Sequence, residues 1–256
     1  MCVPGKKSFL CLFLSLGSLV FLQAAEDLRE EFHRTYPLAV NGRVSLSNVN
    51  GPVRVAAWDR NEVKVDAVKR ARTQAALNEA EIVVDAQPDS IDIKTKYPED
   101  NRGRDSASID YTLTVPKGAR IDEIRTVNGA IDVQGVAGPV RASSVNGTVS
   151  GQRLEGEVNL STVNGRVEAQ LLRTDAAKSI SLKSVNGAVS LTLPAEAGMR
   201  LSAATVHGTI ESDFDLPVRK AGFGPGRNVE ATIGKGGTAV RLNTVNGAIL
   251  LRNGTV

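Results

Sequence analysis

The sequence predicts an all-β protein, a β-solenoid of about 18 residues per coil with parallel stacked strands and at most one short helix near residues 73–80. Three observations predict it. Val-Asn-Gly recurs with Asn at positions 41, 50, 128, 146, 164, 186 and 246, and a Val-His-Gly variant stands at His207. Gly129, Gly138, Gly147, Gly156 and Gly165 fall every nine residues, so the unit is nine, used in pairs. Aromatic residues make up 4% of the chain, so the core must be built from Val, Ile, Leu and Ala, which a regular stack of short strands can bury.

Written from its glycine, the unit reads GAIDVQGVA, GPVRASSVN, GTVSGQRLE, GEVNLSTVN and GRVEAQLLR. Its third position is Ile131, Val140, Val149, Val158 or Val167, and its fifth is mostly small or apolar. Those two positions share one face of an extended strand. The eighth, Val136, Val145, Leu154, Val163 or Leu172, is expected to return to the same interior after the turn. Nine residues then make one strand and one corner, eighteen make a coil, and stacked coils lie about 4.7–4.9 Å apart.

The corner explains the Asn-Gly pair. A reversal favours residues that tolerate positive φ, and Asn and Gly do so cheaply. An Asn at the same corner of each coil can also stack its amide on the next. The expected corner ladder comprises Asn50, Asn128, Asn146, Asn164, Asn186, His207 and Asn246, followed by Gly129, Gly147, Gly165, Gly187, Gly208 and Gly247. Two residues before Asn128, Asn146, Asn164, Asn186, His207 and Asn246 stands a hydroxyl: Thr126, Ser144, Thr162, Ser184, Thr205 and Thr244. A third column, Gln134, Gln152 and Gln170, runs six residues after the Asn. These columns read as structural rather than ligand-binding, because identical polar residues satisfy one another when stacked.

Outside the repeat the chain divides as follows. Residues 1–25 join Lys6 and Lys7 to the apolar run Phe9–Leu22 and end in small residues, the pattern of a secretory signal peptide too short to span a bilayer. Residues 26–256 are expected to form one domain. Both cysteines, Cys2 and Cys11, lie in the signal segment, so thiol chemistry is not expected in the mature chain. That segment holds two of the 31 basic residues and none of the 28 acidic ones. The near-neutral remainder offers no electrostatic case for nucleic acid or for anionic lipid. Residues 53–69 read as two strands turning at Asp59-Arg60-Asn61, 73–80 as a helix, 81–86 and 90–96 as strands, and 98–108 as a polar loop. Residues 216–238, rich in glycine, are expected to fold back as a loop over the open end of a terminal coil at Gly247–Val256; end-to-end association is the alternative.

The repeated S/T-V-N-G, the early NVNGPVRVAAWDRNEVKVDA, the VPKGA lead-in and the final GKGGTAVRLNTVNGAILL together resemble the bacterial putative-adhesin family over roughly residues 36–252. The resemblance implies an exported β-solenoid with an envelope or surface role and an unknown function. It supplies no catalytic or ligand residues.

Chemical motifs do not add up to a reaction. Calcium-binding nonapeptide rolls need Gly-Gly-x-Gly-x-Asp, whereas the matching positions here are Asp132, Ser150 and Glu168 without the glycine pairs. His33 and His207 are the two histidines, too few for a metal cluster, and Trp58 reads as a packing residue. A glycosidase needs two carboxylates at a defined separation, but Asp132 and Glu168 fall two coils apart. The expected function is therefore a non-enzymatic scaffold or adhesin-like binding module, exported to the periplasm, cell surface or medium. It needs no cofactor and has a protein or glycan of the envelope as partner. The rival is a polysaccharide lyase or hydrolase on the same fold.

Overall fold

The computed structural model describes residues 27–98, 106–175, 177–214, 216, 219–220 and 226–254. The signal segment read at 1–25 lies outside them, as do residues 99–105 of the polar loop. The N-terminal third contains β1 (Leu28–Pro37), β2 (Arg43–Ser47), β3 (Val53–Trp58), β4 (Glu62–Ala71), the helix α1 (Gln74–Glu79), β5 (Glu81–Gln87), β6 (Ser90–Lys96) and β7 (Ser108–Pro116). The repeat follows as β8 (Arg120–Asn128), β9 (Ile131–Gln134), β10 (Val140–Asn146), β11 (Val149–Leu154), β12 (Val158–Asn164), β13 (Val167–Leu171), β14 (Ser179–Asn186), β15 (Val189–Leu193), β16 (Met199–His207) and β17 (Ile210–Ser212). The C-terminal part adds β18 (Arg219–Lys220), β19 (Arg227–Ile233), β20 (Thr238–Asn246) and β21 (Ile249–Asn253). The fold is all-β. The described residues hold one short helix, N-capped by Thr73, whose Oγ1 accepts from the Ala76 N–H at 3.2 Å, and it buries Ala76 and Leu77.

Two large, mostly parallel sheets carry the strands. From β8 to β17 successive strands alternate between them, so each chain passage contributes one strand to each sheet. The repeat fixes the register: Val140 pairs with Val158, Ala142 with Leu160 and Ser144 with Thr162. Neither sheet closes on itself. One runs from β1 to β17 and the other from β18 to β5, with antiparallel strands β1, β5 and β19 near the ends.

The inner faces form one hydrophobic cluster, mostly of Val, Ile, Leu and Ala, and the fully buried ring of Tyr111 is an exception to the expected ring-free core. Ile131, Val140, Val149, Val158 and Val167, the third positions of the units, are all buried. The eighth positions divide. Val136 and Leu154 are fully buried, but Val163 is 40% exposed and Val145 and Leu172 are half-buried. Period-two alternation is the reason. Along β12, Val158, Leu160 and Thr162 point inward, which turns Val163 outward; the same holds for Val140, Ala142, Ser144 and Val145 in β10.

The C-terminal coil is not terminal in the stack. Strand β20 lies between β14 and β16, pairing Thr244 with Ser184 on one side and with Thr205 on the other. Its successor β21 lies between β15 and β17. The strand β21 of the expected open end is thus flanked on both sides, because β14 and β16 both present the hydroxyl and Gly columns that β20 matches. The glycine-rich stretch contains β19, which pairs antiparallel with β16, so it covers the β16 edge rather than the last coil. At the other end β2 and β3 are inserted in the same way, between β6–β7 and β8–β9. The edge strand β17 has three residues. Beside it Arg252 reaches Asp213 at 3.0 Å and Glu211 at 3.4 Å, and a short, charged edge of this kind resists further strand pairing.

The insertion has a direct test. Arg241 is in register with both Ser181 and Ser202, while Ser181 and Ser202 are separated by a full strand. In a chain of residues 26–256, Arg241→Cys should form a disulfide with either Ser181→Cys or Ser202→Cys, because neighbouring strands lie within disulfide reach, and the Ser181→Cys/Ser202→Cys pair should stay reduced. Thiol titration and non-reducing mass spectrometry read the result. A sequential stack gives an oxidised Ser181→Cys/Ser202→Cys pair instead.

Candidate functional site

At the Val-Asn-Gly corners from Asn128 onward three groups join one coil to the next, whereas Asn41-Gly42 forms a local turn in which the Gly42 N–H donates to the Ala39 carbonyl. The Asn amides form a head-to-tail chain: Asn128 Nδ2 donates to Asn50 Oδ1 at 2.9 Å, and Asn146, Asn164, Asn186 and Asn246 each donate to the preceding member at 2.8 Å. His207 is in register beside Asn246. The backbone repeats the link, as the N–H groups of Gly129, Gly147, Gly165, Gly187 and Gly247 donate to the neighbouring Asn or His carbonyl at 2.9–3.0 Å. Beneath lie the buried hydroxyls. Ser144, Thr162, Ser184, Thr244 and Thr205 donate to the carbonyls of Gly129, Gly147, Gly165, Gly187 and Gly247 at 2.8–2.9 Å. Valine would fill that space equally well but would leave each glycine carbonyl without this donor.

The glycines are required for closeness. A Cβ on Gly147 would lie 2.0 Å from the Gly129 carbonyl oxygen, on Gly187 1.9 Å from that of Gly165, and on Gly208 1.9 Å from that of Gly247. The expected role of positive φ is corrected accordingly. Among the described residues the one non-glycine at positive φ is Arg153, so the corner asparagines are not left-handed, and of the corner glycines Gly51 and Gly165 alone have φ in that region. The Gln column is also interrupted. Gln152 pairs with Gln134, but the register shift between Gly151 and Leu154 takes Gln152 out of line with Gln170. In the N-terminal coil Asn48 replaces the hydroxyl. Buried, it donates to the Ile109 and Asn50 carbonyls at 3.0 Å and accepts from Thr95, whose hydroxyl meets that of Tyr111.

The outward residues beside these corners form the feature that the sequence reading missed. Positions one and three before each Asn face out from the second sheet and line a groove of about 650 Å³ across β8, β10, β12, β14, β20 and β16. One row consists of valines, among them Val163 (40% exposed), Val185 (40%), Val245 (39%) and Val206 (43%). The parallel row reads Arg125, Ser143, Ser161, Lys183, Asn243 and Ala204. Arg125 and Lys183 are the charged residues of the lining; both are exposed, and neither side chain makes an ion pair or hydrogen bond with the described residues. The signal was present in the alternation Val140-Ala142-Ser144, which assigns Val145 to the outer face. Counting forward from the glycine through the corner concealed it.

On the first sheet the acidic column is engaged locally. Asp132 accepts from Ser150 and from Gln134, each at 2.7 Å, and Glu168 pairs with Arg166 at 3.1 Å. Ser150 stands between the two carboxylates in register. Among the described residues no three His, Cys, Asp or Glu side chains cluster as a metal site. His33 on β1 meets Asp66 at 2.7 Å and Glu31 at 3.1 Å, contacts that raise its imidazole above the ordinary value. Trp58 ends β3 at the turn into β4, its Nε1 donating to the Glu62 carbonyl at 2.8 Å with Arg60 over the ring; the two strands are not paired, since β7 lies between them.

No protein-family model and no curated protein matches the chain. Solved structures that are similar include one described as a putative cell adhesion protein from Clostridium sporogenes, with 13% identity, 88% of this chain and 100% of that chain covered, and a TM-score of 0.49. Another is a putative adhesin from Bacteroides fragilis, with 12% identity, coverage of 88% and 97%, and a TM-score of 0.45. A third is a putative lipid binding protein from Parabacteroides distasonis, with 9% identity, coverage of 86% and 96%, and a TM-score of 0.33.

The corner geometry ranks three substitutions. Gly147→Ala must push two coils apart and should cost roughly 3 kcal/mol or more, the scale of backbone strain combined with core disruption. Thr162→Val leaves a glycine carbonyl without its hydroxyl donor, at about 1–3 kcal/mol. Asn164→Leu removes two exposed ladder bonds, also about 1–3 kcal/mol, at the lower end because water replaces them. Denaturant titrations of the three variants check the order. A Gly147→Ala protein as stable as wild type overturns the close-approach account.

Proposed function

We propose that the chain is an exported, non-enzymatic β-solenoid that acts as a scaffold or adhesin-like binding module at the bacterial cell envelope or surface. In this reading residues 1–25 are removed on export and residues 26–256 form a single domain. The observation that carries the reading is the groove of the second sheet. A row of valines, each about two-fifths exposed, crosses consecutive strands, and a contiguous apolar strip on otherwise polar surface marks an interaction site rather than a packing defect. The strands beneath it are tied by the corner network, so the groove is held rigid before any ligand arrives, which lowers the entropic cost of binding. The acids of the first sheet support the same reading, since Asp132 and Glu168 are each held by a neighbour and separated by Ser150 rather than converging on a cleft. The partner is an envelope component, with nucleic acid disfavoured by the near-neutral charge of residues 26–256.

Cosedimentation with isolated envelopes of the producing bacterium tests this. The wild-type chain of residues 26–256 should bind saturably, and Val163→Asn/Val185→Asn, which leaves the core untouched, should lose about tenfold or more in affinity. Equal binding by that variant overturns the groove as the binding face.

A further inference from the structure

The groove is polarised along its length. On β8, β10, β12 and β14 its outer row reads Arg125, Ser143, Ser161, Lys183, two cations that make no ion pair with the described residues and flank two hydroxyls. Beyond Lys183, on β20 and β16, it continues with Asn243 and Ala204, and the valine row runs alongside. Among the described residues that line it there is no acid and no aromatic ring. Each feature restricts the occupant. Two such cations attract an anion, which charge-assisted hydrogen bonds from guanidinium, ammonium and hydroxyls can hold. Valine methyls without an aromatic platform suit a flexible hydrocarbon better than a sugar face. From Ser161 on β12 to Ala204 on β16 is three strand spacings, about 14 Å, close to the length of one acyl chain, about half of a ~30 Å bilayer core.

We propose that the groove binds a single-chain anionic amphiphile. The anionic head lies over Ser143 and Ser161 between Arg125 and Lys183, and the acyl chain lies along Val163, Val185, Val245 and Val206. The proposal rests on the groove being the binding face and specifies its ligand class. The insertion of β20 between β14 and β16 keeps the valine row unbroken and sets Asn243 before Ala204 along the parallel row.

Calorimetric titration with monomeric sodium laurate, below its micelle concentration, tests it on the chain of residues 26–256. Laurate should bind saturably at one site. Butyrate, with the same head and eight fewer carbons, should bind at least about 100-fold more weakly, since each methylene lost from an apolar contact costs several-fold. Dodecyl maltoside, with the same tail and an uncharged head, should bind about tenfold more weakly, as should laurate to Arg125→Gln/Lys183→Gln and to Val185→Asn. Both variants change exposed side chains and should melt as wild type without ligand. Absence of saturable laurate binding, equal affinity for dodecyl maltoside, or unchanged laurate affinity in the charge variant overturns the proposal. So does binding to phosphatidylglycerol vesicles without binding to monomeric laurate, which makes the occupant a membrane surface. A wild-type dimer that Val185→Asn converts to monomer also overturns it, since a second copy then fills the groove. If laurate fails but envelope binding is still lost in Val163→Asn/Val185→Asn, the ligand class falls and the binding module stands; if that variant keeps envelope binding too, both fall.

Discussion

Adjacent coils meet where one glycine carbonyl lies about 2 Å from the place a Cβ would occupy on the next. That approach sets the strand spacing at the corner, and the other contacts follow from it. With the backbones so close, the buried hydroxyl of Ser144, Thr162 or Ser184 can reach the glycine carbonyl of its neighbour, and the Asn amides come within 2.8 Å of one another. A side chain at the glycine would separate the coils and lengthen all three sets of bonds at once. The core of the repeat can therefore be made of Val, Ile, Leu and Ala, because register and spacing are fixed at the rim rather than by jigsaw packing alone, whereas the N-terminal part buries the ring of Tyr111.

Columns of identical residues specify register but not order. Any coil bearing Ser or Thr, then Asn or His, then Gly can sit beside any other, and the chain uses this freedom where β20 and β21 enter between β14–β15 and β16–β17. Strands β2 and β3 also enter out of order, between β6–β7 and β8–β9, where Asn48 stands in place of the hydroxyl. The choice among equivalent orders is made at the ends. Strand β19 pairs with β16 in antiparallel fashion, which places β16 outermost among the parallel strands of its sheet and leaves the last coil to fill the slot inside it. The stretch from Ser212 to Thr238 supplies the chain length for that return.

The same rim that joins the coils creates the groove. Because the hydroxyl must point inward to reach its carbonyl, the residue after it must point outward, and in this chain that residue is valine in every coil. A polar residue there would serve the corner equally well. The repeated choice of valine, beside a row that holds cations and small hydroxyls, gives one sheet face a character that packing does not demand, whereas the acids of the other sheet are occupied by their neighbours.

The spacing of Val-Asn-Gly by itself determined the strand length, the parallel register and the inward Ile131, Val140, Val149, Val158 and Val167, because period-two alternation and an in-register repeat leave few other ways to bury those side chains. Composition determined the short helix at Gln74–Glu79, where Thr73 supplies the cap. The position of the last coil, the outward turn of Val145 and Val163 and the reason for each glycine were decided only in the tertiary structure. Coil order depends on which edge β19 covers, and the need for glycine depends on the distance to a backbone 18 or more residues away. Local sequence encodes the conformation of a corner, but the corner's neighbours are assigned by the stack.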